Sequence, residues 1–237
     1  MQILPIRDRG YVHPELLAET DWLAVHLTDP KVRVIDARQP EHYAANHLPG
    51  AVNLNGFGGI PRAANGDMAG PEEFAVLAGN LGVGNDTTVV VYDAPGQLMG
   101  MVAWSFSYYG HMDVRILDGG FAKWSVENLP VTTEVVDYPA AVFVPKPQQA
   151  IYCSMHQAES AVGRPKTVFW DTRSLEEFEG TRAGFGPPVR LGRIPGAVHL
   201  EWSELFDHDP MTLKPAKELQ ALLGSHGITP DSEIDTY

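Results

Sequence analysis

The sequence predicts an α/β protein made of two similar units, each a parallel sheet with helices on both faces. Two observations carry this. Short apolar runs that read as buried strands alternate along the chain with stretches of helical character. The same succession of motifs also occurs twice, in the same order.

The elements follow in order. Thr20-Asp21 opens an amphipathic stretch over 22–27, with Thr20 or Asp21 expected as the N-cap. Residues 32–35 and 168–170 are apolar runs that stop at Asp36 and Asp171, as a strand buried on both faces does. Residues 89–92 form a β-branched run of the same kind. Residues 71–81 and 215–223 read as helices with Pro in the first turn and Gly beyond the exit. Residues 98–109 read as a mostly buried helix ending at Gly110, and 114–117 as a strand stopped by Asp118-Gly119-Gly120. Residues 134–150 hold Pro139, Pro145 and Pro147 and little periodicity, so they read as an extended linker. The expected organisation is a first domain over 11–133, a linker over 134–150 and a second domain over 151–237.

The repeat is specific. Asp36-Ala37-Arg38 and Asp171-Thr172-Arg173 each close an apolar run. An aromatic follows each Asp at the seventh position, Tyr43 and Phe178. Pro-Gly-Ala-Val-x-Leu then occurs at 49–54 and 195–200. The Asp-to-Pro spacing is 13 in the first copy and 24 in the second, an insertion of about 11 residues. Further on, Gly82, Asp86 and Tyr92 align with Gly227, Asp231 and Tyr237. Any two α/β units share strand-Asp and Gly-turn features, but not an order that extends over most of a domain.

The chain has 237 residues, 44% apolar and 20% charged, enough for a sizeable core and unlike a disordered composition. Its net charge of −13 provides no global field for a nucleic acid. A local basic pocket is still compatible with that charge. A single cysteine, Cys153, excludes a disulfide scaffold and a four-cysteine metal site. The nine histidines show no paired ligand spacing. Gly56-Phe57-Gly58-Gly59 lacks the strand–turn–helix context of a phosphate loop. No apolar run approaches the ~18 to 20 residues that span a bilayer, and the N-terminus has no secretory pattern. The expectation is a soluble, cytoplasmic protein with no membrane or nucleic-acid partner.

The duplicated Asp-x-Arg with its acidic-aromatic pair (Glu41 to Tyr43; Glu177-Phe178), Leu48-Pro49-Gly50-Ala51 with Ile194-Pro195-Gly196-Ala197, and Leu117-Asp118-Gly119-Gly120 followed by Trp124 resemble the tandem-domain rhodaneses. These are the thiosulfate and 3-mercaptopyruvate sulfurtransferases. The resemblance implies a five-stranded parallel sheet in each domain. It also implies a nucleophilic cysteine on a tight loop after the fourth strand of the second domain. That strand is 233–237 here, so the cysteine is expected directly after Tyr237. The second domain is then incomplete in this chain by about 40 residues, judged from the length of the first domain beyond Asp93. The first domain carries Asp93 at the equivalent position, followed by the loop 93–97. A carboxylate does not attack sulfane sulfur as a soft thiolate does, so this copy reads as catalytically silent.

The implied chemistry is transfer of a sulfane sulfur from a small anionic donor to cyanide or a thiol, through a cysteine persulfide and with no cofactor or metal. Candidate pocket residues are Asp171 and Arg173, Arg182, Arg190 and Arg193 in the insertion, and Trp202. Each has a plainer reading. Asp171 and Arg173 suit an internal ion pair, which their recurrence in the silent copy favours. The insertion arginines suit a solvated loop, and Trp202 suits core packing. The vertebrate-type enzymes place a substrate-binding Arg six positions after the Asp of Asp-x-Arg, where this chain has Glu177; that leans toward thiosulfate as donor. Cys153 has no loop–helix anion cradle around it. Two other readings remain at this point: a non-catalytic rhodanese-like regulatory or scaffold module, and a phosphatase on the same fold.

Overall fold

The computed structural model describes residues 3–94, 97–184 and 190–237. Part of the expected loop after Asp93, residues 95–96, and residues 185–189 of the insertion lie outside them. The chain divides into two compact units. Unit 1 is Met1–Tyr152 with His208–Leu213, and unit 2 is Cys153–Asp207 with Lys214–Tyr237.

In unit 1 the described residues form a five-stranded sheet in the order β1-β5-β4-β2-β3. The strands are β1 (Leu17–Ala18), β2 (Val32–Asp36), β3 (Val52–Asn53), β4 (Thr88–Tyr92) and β5 (Val114–Leu117). All pairings are parallel. The helices are α1 (Thr20–His26), α2 (Pro40–Ala45), α3 (Pro71–Asn80), α4 (Gln97–Tyr108) and α5 (Gly120–Val126). Central strands β2 and β4 are buried on both faces, which is why they read as continuous apolar runs. Val34, Val90 and Tyr92 pack with Leu23 of α1, Tyr43 of α2 and Trp124 of α5 in one cluster. Helix α3 meets α4 and the residue just beyond it through Phe74, Phe106 and Tyr109, all fully buried. Each such side chain contributes roughly 1.5–3 kcal/mol of apolar burial.

One local expectation is corrected. The residue capping α1 is Glu19, and no side chain caps that end. Thr20 lies inside the helix, and its hydroxyl donates instead to Glu127. Residues 134–150 run extended along unit 1. Phe143 inserts between Phe74, Phe106 and His111. Tyr138 donates to the Gly50 carbonyl, and its ring lies 3.1 Å from the Arg33 guanidinium. Elsewhere in unit 1 Leu213 is held between Arg9 and Tyr11, which donate to its carbonyl, and Asp118, which accepts its N–H. Among the described residues no helix is long and apolar enough to cross a membrane.

Unit 2 contains α6 (Met155–Ala161), β6 (Thr167–Asp171), α7 (Leu175–Glu179), β7 (Val198–His199), α8 (Ala216–Ser225) and β8 (Glu233–Thr236). Its described residues form a three-stranded parallel sheet, β7-β6-β8. The register matches the centre of the first sheet. Asp171 pairs with His199 as Asp36 pairs with Asn53, and Trp170 pairs with Thr236 as Ile35 pairs with Val91. The described residues thus supply counterparts of β2, β3 and β4, and none of β1 or β5. Strand β8 is correspondingly exposed along most of its length.

Two measurements test these energetics. Asp36 is fully buried and ion-paired to Arg38, so Asp36→Ala leaves an uncompensated buried guanidinium. We expect a loss of about 3–5 kcal/mol by urea denaturation. His111 is buried, and its Nε2 has no hydrogen-bond partner among the described residues. Burial holds this imidazole below the ordinary histidine range. The unfolded chain therefore takes up the proton first, near its ordinary pKa of about 6.5. Stability is complete above that value and falls as the pH drops below it. We expect His111→Phe to lose less stability than the parent between about pH 7.5 and about pH 5.5; equal losses would contradict this.

Candidate functional site

At the carboxyl end of β2, the Asp36 carboxylate receives four groups. Arg38 donates through its backbone N–H at 2.9 Å and through Nε and Nη2, the latter at 2.6 Å. Tyr92, the last residue of β4, donates its hydroxyl at 2.6 Å. The same hydroxyl accepts Leu48 N–H, at the start of the Leu-Pro-Gly-Ala segment. Arg38 Nη2 also reaches the Asn46 carbonyl. Two strand ends and one loop are thus tied to one buried carboxylate.

Unit 2 builds the same knot from the same residue types. Arg173 donates to Asp171 from its backbone N–H, from Nε at 2.9 Å and from Nη2 at 2.5 Å. Arg173 Nη2 also reaches the Gly192 carbonyl. The Tyr237 hydroxyl accepts Ile194 N–H, and it bonds Asp171. Burial alone would raise the Asp171 pKa; the bonds from Arg173 and Tyr237 outweigh it and hold the carboxyl below the usual carboxylate range. Burial, with Asp171 adding to it, pushes the Tyr237 hydroxyl up, so it stays protonated and donating. The Tyr237 carbonyl is held by both the N–H and the hydroxyl of Thr172.

Unit 1 shows what this geometry delivers to the next position. Asp93 follows Tyr92 and is buried. Its Oδ2 accepts Leu98 N–H at 2.6 Å and Met99 N–H at 3.0 Å, in the first turn of the 12-residue helix α4. The carboxylate thus satisfies helix donors that have no partner within the helix, at the end where the dipole favours negative charge. The Asp93 carbonyl accepts Phe121 N–H, and Gly120, at φ +51°, passes so close that a Cβ there would lie 2.4 Å from that oxygen. Only glycine fits that approach.

The other predicted residues fall as follows. Arg182 Nη2 donates to Ser174 Oγ at 2.6 Å and lies 3.5 Å from Glu177 Oε2. Arg193 donates to the Phe178 carbonyl and stacks over its ring at 4.3 Å. Arg190 is exposed, with no ion pair among the described residues. Trp202 is half-buried; its N–H bonds the Thr172 carbonyl and its ring meets Phe206. The structure brings Asp171, Arg173 and Arg182 to one end of the sheet. Arg193 is turned onto Phe178 of α7. Cys153 is exposed, and partial burial with the nearby Asp235 carboxylate pushes its thiol up, the wrong direction for a nucleophile. Sequence reading marked Glu177 only as the residue in place of an arginine and missed its partner Ser174, with which it forms a reciprocal capping box at the start of α7. The Ser-x-x-Glu spacing was the available signal.

A rhodanese-like domain model matches residues 19–127. The chain is 38% identical over 239 residues to the sulfur carrier protein TtuD of Thermus thermophilus, covering 96% of this chain and 84% of that protein. It is 34% identical to a putative thiosulfate sulfurtransferase of Synechococcus elongatus, covering 90% and 69%. The crystal structure of SseA from Escherichia coli, described with the 3-mercaptopyruvate sulfotransferases, superposes with a TM-score of 0.81 at 27% identity, covering 93% of this chain and 87% of that one. Repeated Asp-x-Arg knots on parallel sheets, with a helix N-terminus receiving the residue beyond the strand, define a rhodanese fold. The chain belongs to the rhodanese family of sulfurtransferases.

The role of Asp93 as a cap is measurable. Asp93→Ala removes two charge-assisted bonds, and we expect unit 1 to lose about 1–2 kcal/mol by chemical denaturation. Asp93→Asn should lose less, because one amide oxygen still accepts.

Proposed function

We propose that the intact protein moves a sulfane sulfur from thiosulfate to cyanide or a thiol acceptor through a cysteine persulfide, the cysteine standing directly after Tyr237. The thiolate attacks the outer sulfur of thiosulfate. A new S–S bond forms, the donor S–S bond breaks, and sulfite leaves with the electron pair. Cyanide or an acceptor thiolate then attacks the outer persulfide sulfur and releases the enzyme thiolate. Cyanide yields thiocyanate.

The observation that carries this reading is the bonding of Asp93. In unit 1 the residue after the knot tyrosine is received by two helix N–H groups, an arrangement that favours an anion. A thiolate in the same relation to Tyr237 would have its pKa lowered by the same donors. On this reading 11–133 is a catalytically silent domain, Asp93 being its fixed anion. Residues 134–150 join it to the reactive domain, 151–237 and whatever follows. Arg173 and Arg182 face the anionic donor, Arg190 adds charge at the rim, and Trp202 walls the pocket. A thiol acceptor is supported by one relative being named a sulfur carrier.

The experiment is thiosulfate plus cyanide, read as thiocyanate. We expect turnover by the intact protein, and we expect Cys153→Ser to retain it. Absence of turnover would overturn the reading, and loss on Cys153→Ser would move the nucleophile to that thiol.

A further inference from the structure

The two knots match at Asp, Arg and Tyr, but their surroundings differ, and the difference lies on one side. In unit 1 the sixth residue after the knot Asp is His42, and α2 leads through Asn46 directly to the next segment. In unit 2 that position is Glu177, nine-tenths buried, in the middle of a short chain of alternating charges. Its Oε2 accepts Ser174 Oγ at 2.9 Å and lies 3.5 Å from Arg182 Nη2. Its Oε1 lies 2.8 Å from where a Cβ on Gly184 would sit, a point itself 4.0 Å from Arg173 Nη1. The order is Asp171, Arg173, Glu177, Arg182.

Arg182 is fixed at its backbone as well. Gly180 closes α7 in the left-handed region at φ +79°, and the chain doubles back so that Thr181 and Arg182 N–H both bond the Glu176 carbonyl. This placement commits only Nη2 of Arg182. Its Nε and Nη1 carry three N–H groups with no partner among the described residues. Arg173 likewise commits Nε and Nη2 and leaves Nη1. A helix cap alone needs only Ser174 and Glu177. The added guanidinium brings the four-residue cluster to zero net charge and leaves N–H donors uncommitted beside it.

We propose that Glu177 is a positioning residue, holding the Arg182 guanidinium beside Arg173 so that the two receive the oxyanion half of the sulfur donor. This deepens the function proposed above and rests on it. The departing sulfite is a compact anion with three oxygens, suited to two guanidinium groups with uncommitted N–H. Glu177 repels that anion weakly by its own charge, and its net effect is attraction through the arginine it orders.

The test uses the intact protein and Glu177→Gln. Glutamine retains the capping-box acceptor, so α7 should persist, but it loses the ion pair. We expect the KM for thiosulfate to rise about 3–10-fold with kcat within about twofold, as for loss of a partly exposed ion pair. Arg182→Gln should raise KM similarly, and the double variant should be no worse than Arg182→Gln alone. A KM unchanged or lowered in Glu177→Gln would overturn the proposal, since Glu177 would then be only a repelling charge. So would effects that multiply in the double variant. Calorimetric titration of sulfite into the same proteins reads the two residues independently of turnover. A parent that binds sulfite through them but forms no thiocyanate would sink the proposed reaction and leave the positioning role standing.

Discussion

A carboxylate with no exposed surface sits at the carboxyl end of an interior strand of each sheet, and the local architecture hangs on it. Taking Asp36 or Asp171 out of water is costly, and a single counter-charge does not reliably offset that cost. Here the offset comes from a full set of donors: a guanidinium, a backbone N–H and a tyrosine hydroxyl. The tyrosine is the decisive member, because it ends the neighbouring strand. Its hydroxyl also takes an N–H from the segment that leads into the sheet's third strand. Three pieces of chain distant in sequence are brought into one register by one buried charge. The geometry of the residue beyond the tyrosine follows from that registration.

Around two equal knots the units place unequal surroundings. Unit 1 meets its helix donors with its own carboxylate. Unit 2 adds Glu177 and Arg182 on the side where unit 1 has His42 and a direct exit. The overall charge of −13 says nothing about this. Fields fall off within about 8–10 Å at ordinary ionic strength, so two guanidinium groups govern their own few ångströms whatever the rest of the chain carries. An acidic protein can therefore hold a corner whose paired charges sum to zero and which still presents guanidinium N–H groups.

Much of this was legible because it is encoded in short-range pattern. Apolar runs ending in Asp marked β2 and β6, and the recurrence of Asp-x-Arg and Pro-Gly-Ala-Val marked equivalent positions. What escaped depends on long-range packing. Nothing near Pro139 announces that Tyr138 stacks on Arg33 or that Phe143 fills a space beside Phe74. Three prolines read as a spacer, and the anchoring aromatics lie just before the first of them and between the first two. Asp93 was legible as a carboxylate in place of a thiol. Its two bonds to α4 were not, since they require knowing where the helix begins. Arg182 and Arg193 looked alike in sequence; Ser174 and Glu177 took one, and the ring of Phe178 took the other.

The capping of α4 by Asp93 has a consequence for timing. A carboxylate holds its charge through any event in the neighbourhood, so this helix start is neutralised continuously. A thiolate in the same relation to a helix hands its charge to the outer sulfur when it takes on sulfur, because sulfite leaves as the dianion and the persulfide stays anionic, and it takes the charge back when the sulfur departs. In such a copy the charge facing the helix would move outward by one S–S bond and return once per cycle. In unit 1 the charge stays in one place. Its Asp93 makes it a steady frame.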